Sequence, residues 1–314
     1  MCPAPNKNPI CELLDIDHPL ILAPMALVSG GALAKAVTEA GGLGMIGGGY
    51  GDADWLETEF ANAGNARFGV GFITWSLAQK PELLELALSR NPVAIMLSFG
   101  DAAPFIPKIR AAGAKVICQV QTRKQAEEVA KLGADIIVAQ GTEAGGHGAA
   151  RGLASLLSSV VDAAGDIPVL AAGGITEHRD LVAAAALGAE GALIGTRFFA
   201  SDEALGHPNV KDRIAASTAD DTVRTTVFDV ARNLDWPAPY TVRAIKNGFT
   251  QKWHGNEGEL GAHKQDIIAA YPGAVAAGDV DYMGVFAGEG IDRIHDIKPA
   301  KQIFEDFLIA PSPW

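Results

Sequence analysis

Eight short segments between residues 19 and 194 are apolar at nearly every position, and helical or turn-forming segments separate them. Strands that are apolar throughout, rather than at alternate positions, are typical of parallel sheets buried on both faces. Eight strand–helix units in succession close most naturally as a (β/α)8 barrel, so the sequence predicts an α/β protein with a TIM-barrel fold. The predicted strands are 19–24, 43–46, 68–73, 93–98, 115–119, 135–139, 168–172 and 191–194.

An open, doubly wound sheet is the structural alternative. It is disfavoured because the first predicted strand lacks a glycine fingerprint with an acidic residue ~20 positions later.

The alternation of strands and helices covers only part of the chain. Residues 1–18 are polar and contain several prolines, so we interpret them as a lead-in to a barrel formed by residues 19–205. Residues 206–314 are predicted to form a mainly helical C-terminal segment, with helical stretches near 214–219, 262–270 and 299–309. This segment could be an appended helical layer, a lid over the barrel mouth or a surface for a homodimer.

Charge and cysteine content exclude several classes of protein. The formal net charge of −12 argues against nucleic-acid binding, which needs a basic surface. Cys2, Cys11 and Cys118 lack paired spacing, which favours a reducing, cytoplasmic location over a disulfide framework or a metal site. The sequence shows no apolar run near the ~20 residues of a membrane span, and no signal peptide at the N-terminus. A small molecule is therefore the expected partner, rather than nucleic acid or membrane.

The sixth predicted strand leads into a glycine-rich loop, Gln140-Gly141-Thr142-Glu143-Ala144-Gly145-Gly146-His147-Gly148. Glycine permits positive φ and close approach of the backbone, so a flat ligand could lie against this loop. Histidine is the side chain whose ordinary pKa lies closest to neutral. The pattern predicts a catalytic loop that carries His147; the alternative is a tight turn with a solvated histidine.

In a TIM barrel the reactive groups follow the carboxyl ends of the strands. Here those positions are rich in glycine and neutral hydrogen-bonding groups, and they form no carboxylate pair, metal-ligand cluster or serine–histidine–acid set. Such a composition suits a large planar cofactor that supplies the chemistry. The glycine turns after strands seven and eight occupy the usual phosphate-binding position of this fold, and Arg197 could add charge there. The positions are Pro24, Met25, Ala26, Thr74, Ser98, Gln119, Gln140, Gly145, Gly146, His147, Gly173, Gly174, Gly195 and Thr196.

Several of these motifs together resemble the nitronate monooxygenase family, formerly called 2-nitropropane dioxygenases. The resemblance runs in order over about residues 9–205 and continues in the tail. It rests on Ala23-Pro24-Met25-Ala26, the 140–148 loop, Ala171-Ala172-Gly173-Gly174-Ile175, Gly195-Thr196-Arg197-Phe198, Asp235-Trp236-Pro237 and Trp253-His254-Gly255.

The resemblance implies an FMN-binding barrel with His147 as the catalytic base. It implies FMN contacts at Ala23, Pro24, Met25, Thr74, Gln119, Gln140, Gly145, Gly146, Gly173, Gly174, Gly195 and Thr196. Two positions depart from the family pattern: Thr74 stands where many members have asparagine, and Gln119 stands where many have lysine.

Three functions follow from these features. The first is an FMN-dependent nitronate monooxygenase, which oxidises alkyl nitronates or nitroalkanes with O2 to carbonyl compounds and nitrite. The second is an NAD(P)H-dependent flavin reductase of an enoyl thioester or a quinone, because such reductases share the glycine–histidine loop. The third is a flavin-binding protein without catalysis.

Other residues in the tail have less specific interpretations. Trp236, Tyr240 and Trp253 are interpreted as packing residues, and His207, His254 and His263 as loop or structural histidines. Glu289, in a glycine turn, could reach the flavin edge or a neighbouring subunit.

Overall fold

Eight strands that are buried along almost their whole length form the predicted barrel. The computed structural model describes residues 8–309 and 314, and contains eleven strands within them. The eight barrel strands are β1 (Leu20–Leu22), β2 (Met45–Gly47), β3 (Gly69–Ile73), β4 (Ala94–Ser98), β5 (Lys115–Val120), β6 (Ile136–Gln140), β8 (Val169–Ala172) and β9 (Gly191–Ile194).

All neighbouring strands of this sheet are parallel, in the order β1-β9-β8-β6-β5-β4-β3-β2. The two edges meet at a parallel bridge between Ile21 and Leu43, where the Leu22 amide donates to the Leu43 carbonyl at 3.0 Å. The sheet therefore closes on itself, and the predicted fold class is confirmed.

The outer ring contains the predicted helices, displaced by a few residues at their ends. They are α2 (Gly31–Glu39), α3 (Ala53–Ala63), α5 (Glu82–Leu88), α6 (Ile106–Ala111), α7 (Arg123–Leu132), α8 (Leu153–Ala164) and α9 (His178–Ala186). Two short helices follow barrel strands: α4 (Thr74–Leu77) begins directly after β3, and α10 (Thr196–Phe199) begins one residue after the end of β9. The barrel has two hydrophobic cores, one inside the strands and one between the strands and the outer helices. The core between the strands and the outer helices is the larger.

The amino-terminal end of the barrel is closed by a helix that the sequence did not predict. Helix α1 (Pro9–Leu14) lies in the predicted lead-in, of which residues 1–7 are outside the described part of the chain. The Asn8 side chain caps it by accepting from the Ile10 amide at 2.9 Å. Ile10 and Leu14 are fully buried against the inward-facing residues of the barrel. A helix of six residues is too short to show a helical period, so its role follows only from this packing.

The C-terminal segment contains the remaining helices and returns to the barrel at its end. These helices are α11 (Pro208–Ala215), α12 (Val227–Ala231), α13 (Gly248–Trp253), α14 (Glu257–Ala262), α15 (Lys264–Ala277) and α16 (Ala300–Phe307), with 3-10 turns at Ala219–Asp221 and Glu289–Arg293. The buried residues Ile303, Phe304 and Phe307 pack α16 into the outer ring beside α2. No helix in the described residues has the length and apolar character needed to cross a lipid bilayer.

A second, three-stranded sheet joins the C-terminal segment to the loop after β6. Strand β11 (Thr241–Ile245) pairs antiparallel with β10 (Thr222–Thr225) and with β7 (Gly146–Gly148). The sequence did not predict β7, because glycine disfavours strands and β7 forms only through a partner about one hundred residues away. Strands β10 and β11 lie in the segment that was predicted to be mainly helical. His147 lies opposite Val242 in this pairing.

We expect Leu14→Ala to lower the free energy of unfolding by about 2–5 kcal/mol, since it leaves a cavity under the barrel. Glu12→Ala is the matched control, because Glu12 is exposed on the same helix and should change stability by about 0.5 kcal/mol or less. Chemical denaturation of both variants measures the difference. Equal unfolding midpoints for the two variants would show that α1 does not stabilise the barrel.

Candidate active site

A cavity of about 220 Å³ lies at the carboxyl ends of the barrel strands. Strand ends and their loops line its inner side, and residues of the C-terminal segment, among them Arg232, Trp236, Phe286 and Gly288, line its outer side. Ligand sites of this fold lie at the same end of the barrel.

Twelve of the thirteen predicted site residues line this cavity: Ala23, Pro24, Met25, Gln119, Gln140, Gly145, Gly146, His147, Gly173, Gly174, Gly195 and Thr196. Ala26 and Ser98 line it as well. Their convergence follows from the parallel sheet, which places all carboxyl ends at one end of the barrel.

The structure places Thr74 and Arg197 elsewhere. Thr74 begins α4, its side chain is buried, and its Oγ1 has no hydrogen-bond partner among the described residues; Ile73 lines the cavity instead. The chain turns into α4 directly after β3, so the residue that faces the cavity comes one position earlier than predicted. The Arg197 guanidinium is buried and pairs with Asp296 at 2.8 Å, so it does not line the cavity.

His147 is held by a carboxylate and an indole from the C-terminal segment. Its Nε2–H donates to Asp229 Oδ1 at 2.8 Å, and both side chains are buried. The imidazole stacks on Trp236 with 3.4 Å between ring centroids and 7° between ring planes. Asp229 comes from α12, and its second oxygen, Oδ2, has no partner in the described part of the chain.

Burial is the main cause that lowers the pKa of His147 below its ordinary value. The hydrogen bond to Asp229 and the charge of that carboxylate act in the opposite direction, and the nearby Arg232 and Arg224 lower the pKa further. His147 is therefore neutral at pH 7. Since Nε2 carries the proton that Asp229 accepts, Nδ1 has the free lone pair, which is the condition for accepting a proton.

Two arginines fix the loop that carries His147. Arg224 Nε donates to Thr142 Oγ1 at 2.8 Å, and Arg243 Nε donates to the Thr142 carbonyl at 2.9 Å. Arg243 also pairs with Glu289 at 2.7 Å. Burial, with Arg243 close by, lowers the pKa of Arg224 to about 10, so this side chain stays charged at neutral pH.

Three glutamines connect the floor of the cavity to the same loop. Gln119 Nε2 and Gln121 Nε2 donate to Gln140 Oε1 at 3.1 and 2.9 Å. Gln140 Nε2 donates in turn to the His147 carbonyl at 3.0 Å. The backbone of His147 is thereby tied to β6 as well as to β11.

The glycine turns after β8 and β9 present free donors to the cavity. The amides of Gly173, Gly174 and Gly195 donate no hydrogen bond to the described part of the chain. Gly173 and Gly174 have φ of +108° and +73°, a region that favours glycine. Free amides on adjacent loops are suited to an anionic group such as a phosphate.

Aromatic side chains from the barrel loops and from the C-terminal segment form one wall of the cavity. Tyr50, Phe99, Trp236 and Phe286 all line the cavity, and Trp236 Nε1 donates to Tyr50 Oη at 3.1 Å. Burial raises the pKa of Tyr50, while the charge of Arg232 opposes that rise. The packing role predicted for Trp236 is thus incomplete, because its ring contacts both His147 and the cavity.

The roles of Asp229, Arg232 and Tyr50 were not predicted from the sequence, because no motif spacing relates these residues to the barrel motifs. Glu289 binds Arg243, and its neighbours Gly288 and Gly290 line the cavity in its place. Three tail histidines have local contacts: His207 caps α11, His254 Nδ1 lies 3.1 Å from Thr225 Oγ1, and His263 packs on Trp253.

Known proteins are similar in sequence to this chain over most of its length. A nitronate monooxygenase from Neurospora crassa is 30% identical over 96% of this chain and 88% of its own length. An octahydro-1H-indene-4-carboxyl-CoA dehydrogenase from Mycobacterium tuberculosis is 34% identical over 71% of this chain. The match spans 64% of that dehydrogenase, which is less than two thirds of its length.

Solved structures resemble the whole fold. FabK from Thermotoga maritima superposes with a TM-score of 0.85 at 32% identity, covering 96% of this chain and 95% of its own. A nitroalkane oxidase from Streptomyces ansochromogenes superposes with a TM-score of 0.79 at 28% identity, covering 96% of both chains.

The profile of the family described as Nitronate monooxygenase matches residues 7–69 and 74–309. The match includes β6, the loop that carries His147 and the C-terminal segment that supplies Asp229 and Trp236. The chain therefore belongs to the nitronate monooxygenase family, a family of flavin-dependent oxidoreductases.

Proposed function

We propose that this protein is an FMN-dependent nitronate monooxygenase that oxidises alkyl nitronates, and nitroalkanes, with O2 to carbonyl compounds and nitrite. The observation that carries the proposal is the position of His147, which lines the cavity while Asp229 holds its Nε2–H at 2.8 Å. Membership of the family and the likeness to a nitroalkane oxidase support the same activity.

The lining of the cavity is compatible with FMN. The free amides of Gly173, Gly174 and Gly195, with the Thr196 hydroxyl, would hold the phosphate. A Cβ at Gly146 would meet no atom within 4 Å, so the backbone there is open to a flat ring. We infer that Ala23, Pro24, Met25 and Gly145 would line the ring system and that Gln119 and Gln140 would bind its polar edge. Thr74 is removed from this set because it does not line the cavity.

The bound flavin would supply the electron acceptor, and the protein would handle the proton. The α-proton of a nitroalkane is acidic because the carbanion delocalises onto the nitro oxygens. His147 Nδ1 accepts that proton, and Asp229 stabilises the imidazolium that results. A substrate that arrives as the nitronate needs no base, so His147 then contributes hydrogen bonding and charge only.

An NAD(P)H-dependent reductase of an enoyl thioester or a quinone is the second candidate. It is supported by the likeness to FabK and by the 34% identity to a CoA-ester dehydrogenase. A non-catalytic flavin-binding protein is a third candidate, but it gives no reason for a buried carboxylate to hold the histidine. The homodimer, the cytoplasmic location and the division of the chain at residues 18 and 205 remain predictions.

Oxygen uptake by the purified FMN-bound protein tests the main proposal. We expect uptake with propyl-2-nitronate, and we expect uptake with 2-nitropropane to fall about 10²–10⁴-fold in His147→Asn, which lacks the base. Anaerobic NADH or NADPH, added to a separate sample, should leave the flavin oxidised. Rapid bleaching by either nucleotide, without nitronate-dependent uptake, would establish the reductase instead.

We expect Asp229→Asn to lower kcat/KM for 2-nitropropane by about 10²-fold, because the amide no longer fixes the Nε2–H form of His147. Turnover of preformed nitronate should be largely retained. Since the Asp229 charge raises the pKa of His147, its removal should move the acid limb of the pH profile to lower pH.

In the native protein, the acid limb of the pH profile should already lie below pH 6.5, because burial lowers the pKa of His147 from that ordinary value. Asp212→Asn is the matched control, because Asp212 is exposed on α11. An unchanged pH profile in Asp229→Asn would contradict a positioning role for Asp229.

A further inference from the structure

Arg232 supplies the positive charge that lines the cavity. Among the described residues it is the one lysine or arginine that lines the cavity, and neither aspartate nor glutamate lines it. Arg232 follows α12 directly, three positions after Asp229. The proposed roles of His147 and the glycine turns leave this charge without a function.

The Arg232 guanidinium forms no ion pair with a carboxylate in the described part of the chain. Arg197 and Arg243, which are buried, pair with Asp296 and Glu289, respectively. Arg232 instead has aromatic neighbours: its Cζ lies 5.1 Å from the Tyr50 ring centroid and 5.3 Å from that of Phe286. Cation–π contacts of this kind position a guanidinium while leaving N–H groups at its edge for a ligand.

The field of Arg232 reaches the proposed reaction centre. Its charge lowers the pKa of His147, opposes the rise in the pKa of Tyr50, and lies beside the cavity that both residues line. Because the cavity has an apolar, aromatic wall, the attraction between Arg232 and an anion in the cavity is screened less than it would be at the protein surface.

We propose that Arg232 is a substrate-recognition residue that binds the two oxygens of a planar monoanion, carried on a small apolar or aromatic body. A nitronate and a carboxylate share this chemistry, and the planar guanidinium matches both. As an assignment of a substrate subsite, this inference rests on the proposed function. The binding of the anion itself is independent of turnover.

Benzoate and benzamide are probes of nearly equal shape that differ in charge. Calorimetric titration of the FMN-bound protein should give a dissociation constant for benzoate about ten- to hundredfold lower than for benzamide. Arg232→Gln should remove this preference. Arg232→Lys, which keeps the charge without the planar fork, should retain part of it. Arg123→Gln is the control, because Arg123 is exposed on the outer helix α7.

Equal affinity of the native protein for benzoate and benzamide would overturn the inference, and that comparison needs no variant. Benzoate preference that survives in Arg232→Gln would overturn it too. Arg232→Gln should also raise KM for propyl-2-nitronate by about ten- to hundredfold, because the nitronate loses the same charge-assisted contact as benzoate. An Arg232-dependent preference for benzoate, in a protein that does not consume oxygen with nitronates, would support the anion subsite and refute the proposed reaction.

Discussion

The antiparallel pairing of Gly146–Gly148 with Thr241–Arg243 is the constraint on which the site depends. The loop contains three glycines, Gly145, Gly146 and Gly148, so its backbone has high conformational freedom in the unfolded chain. Fixing that backbone in one conformation costs entropy. The pairing with β11 offsets that cost with backbone hydrogen bonds, and Arg224 and Arg243 add charge-assisted bonds to Thr142. Packing also limits substitution here, because a Cβ at Gly145 would lie 2.6 Å from the Ala287 carbonyl carbon. Together these contacts hold the backbone that carries His147.

The arginines near the cavity fall into two groups with different neighbours. Arg224 and Arg243 lie behind the loop and donate to carbonyls, hydroxyls and Glu289, so their charges are used in the structure. Arg232 lies on the cavity side and has aromatic rings rather than a carboxylate as neighbours. Asp229 and Arg232 are three residues apart, a spacing that places both on the same side of a helix. The helix that supplies the acid holding the imidazole is therefore followed directly by the cation that we propose binds the ligand.

The sequence predicts the barrel well because its information is local. Each strand is a continuous apolar run with a turn signal after it, and parallel strands bring those turns to one end whatever the details of packing. Thr74 shows the limit of this reasoning, since a shift of one residue at the end of β3 turns a predicted contact into a buried side chain.

The C-terminal segment was not predictable in the same way. Asp229 and Trp236 reach His147 because β11 pairs with a loop far away in the chain, and no period or motif in the segment specifies that pairing. Strand β7 is a Gly-His-Gly sequence without intrinsic preference for a strand. For such elements the partner determines the structure, and the partner is not visible in the local sequence.

In the proposed reaction, the charges around the cavity would favour the transfer of a proton from a neutral substrate. Before the transfer, Asp229 carries a negative charge, Arg232 carries a positive charge and His147 is neutral. Removal of an α-proton would create an imidazolium next to Asp229 and a nitronate, which Arg232 would bind. Each new charge would thus form beside an existing charge of opposite sign, and these attractions would be stronger after the transfer than before it. Interactions of this kind lower the barrier rather than only tightening substrate binding. The buried Asp229 Oδ2, which has no partner among the described residues, is consistent with this view, because a carboxylate short of partners is stabilised most when the imidazole becomes charged.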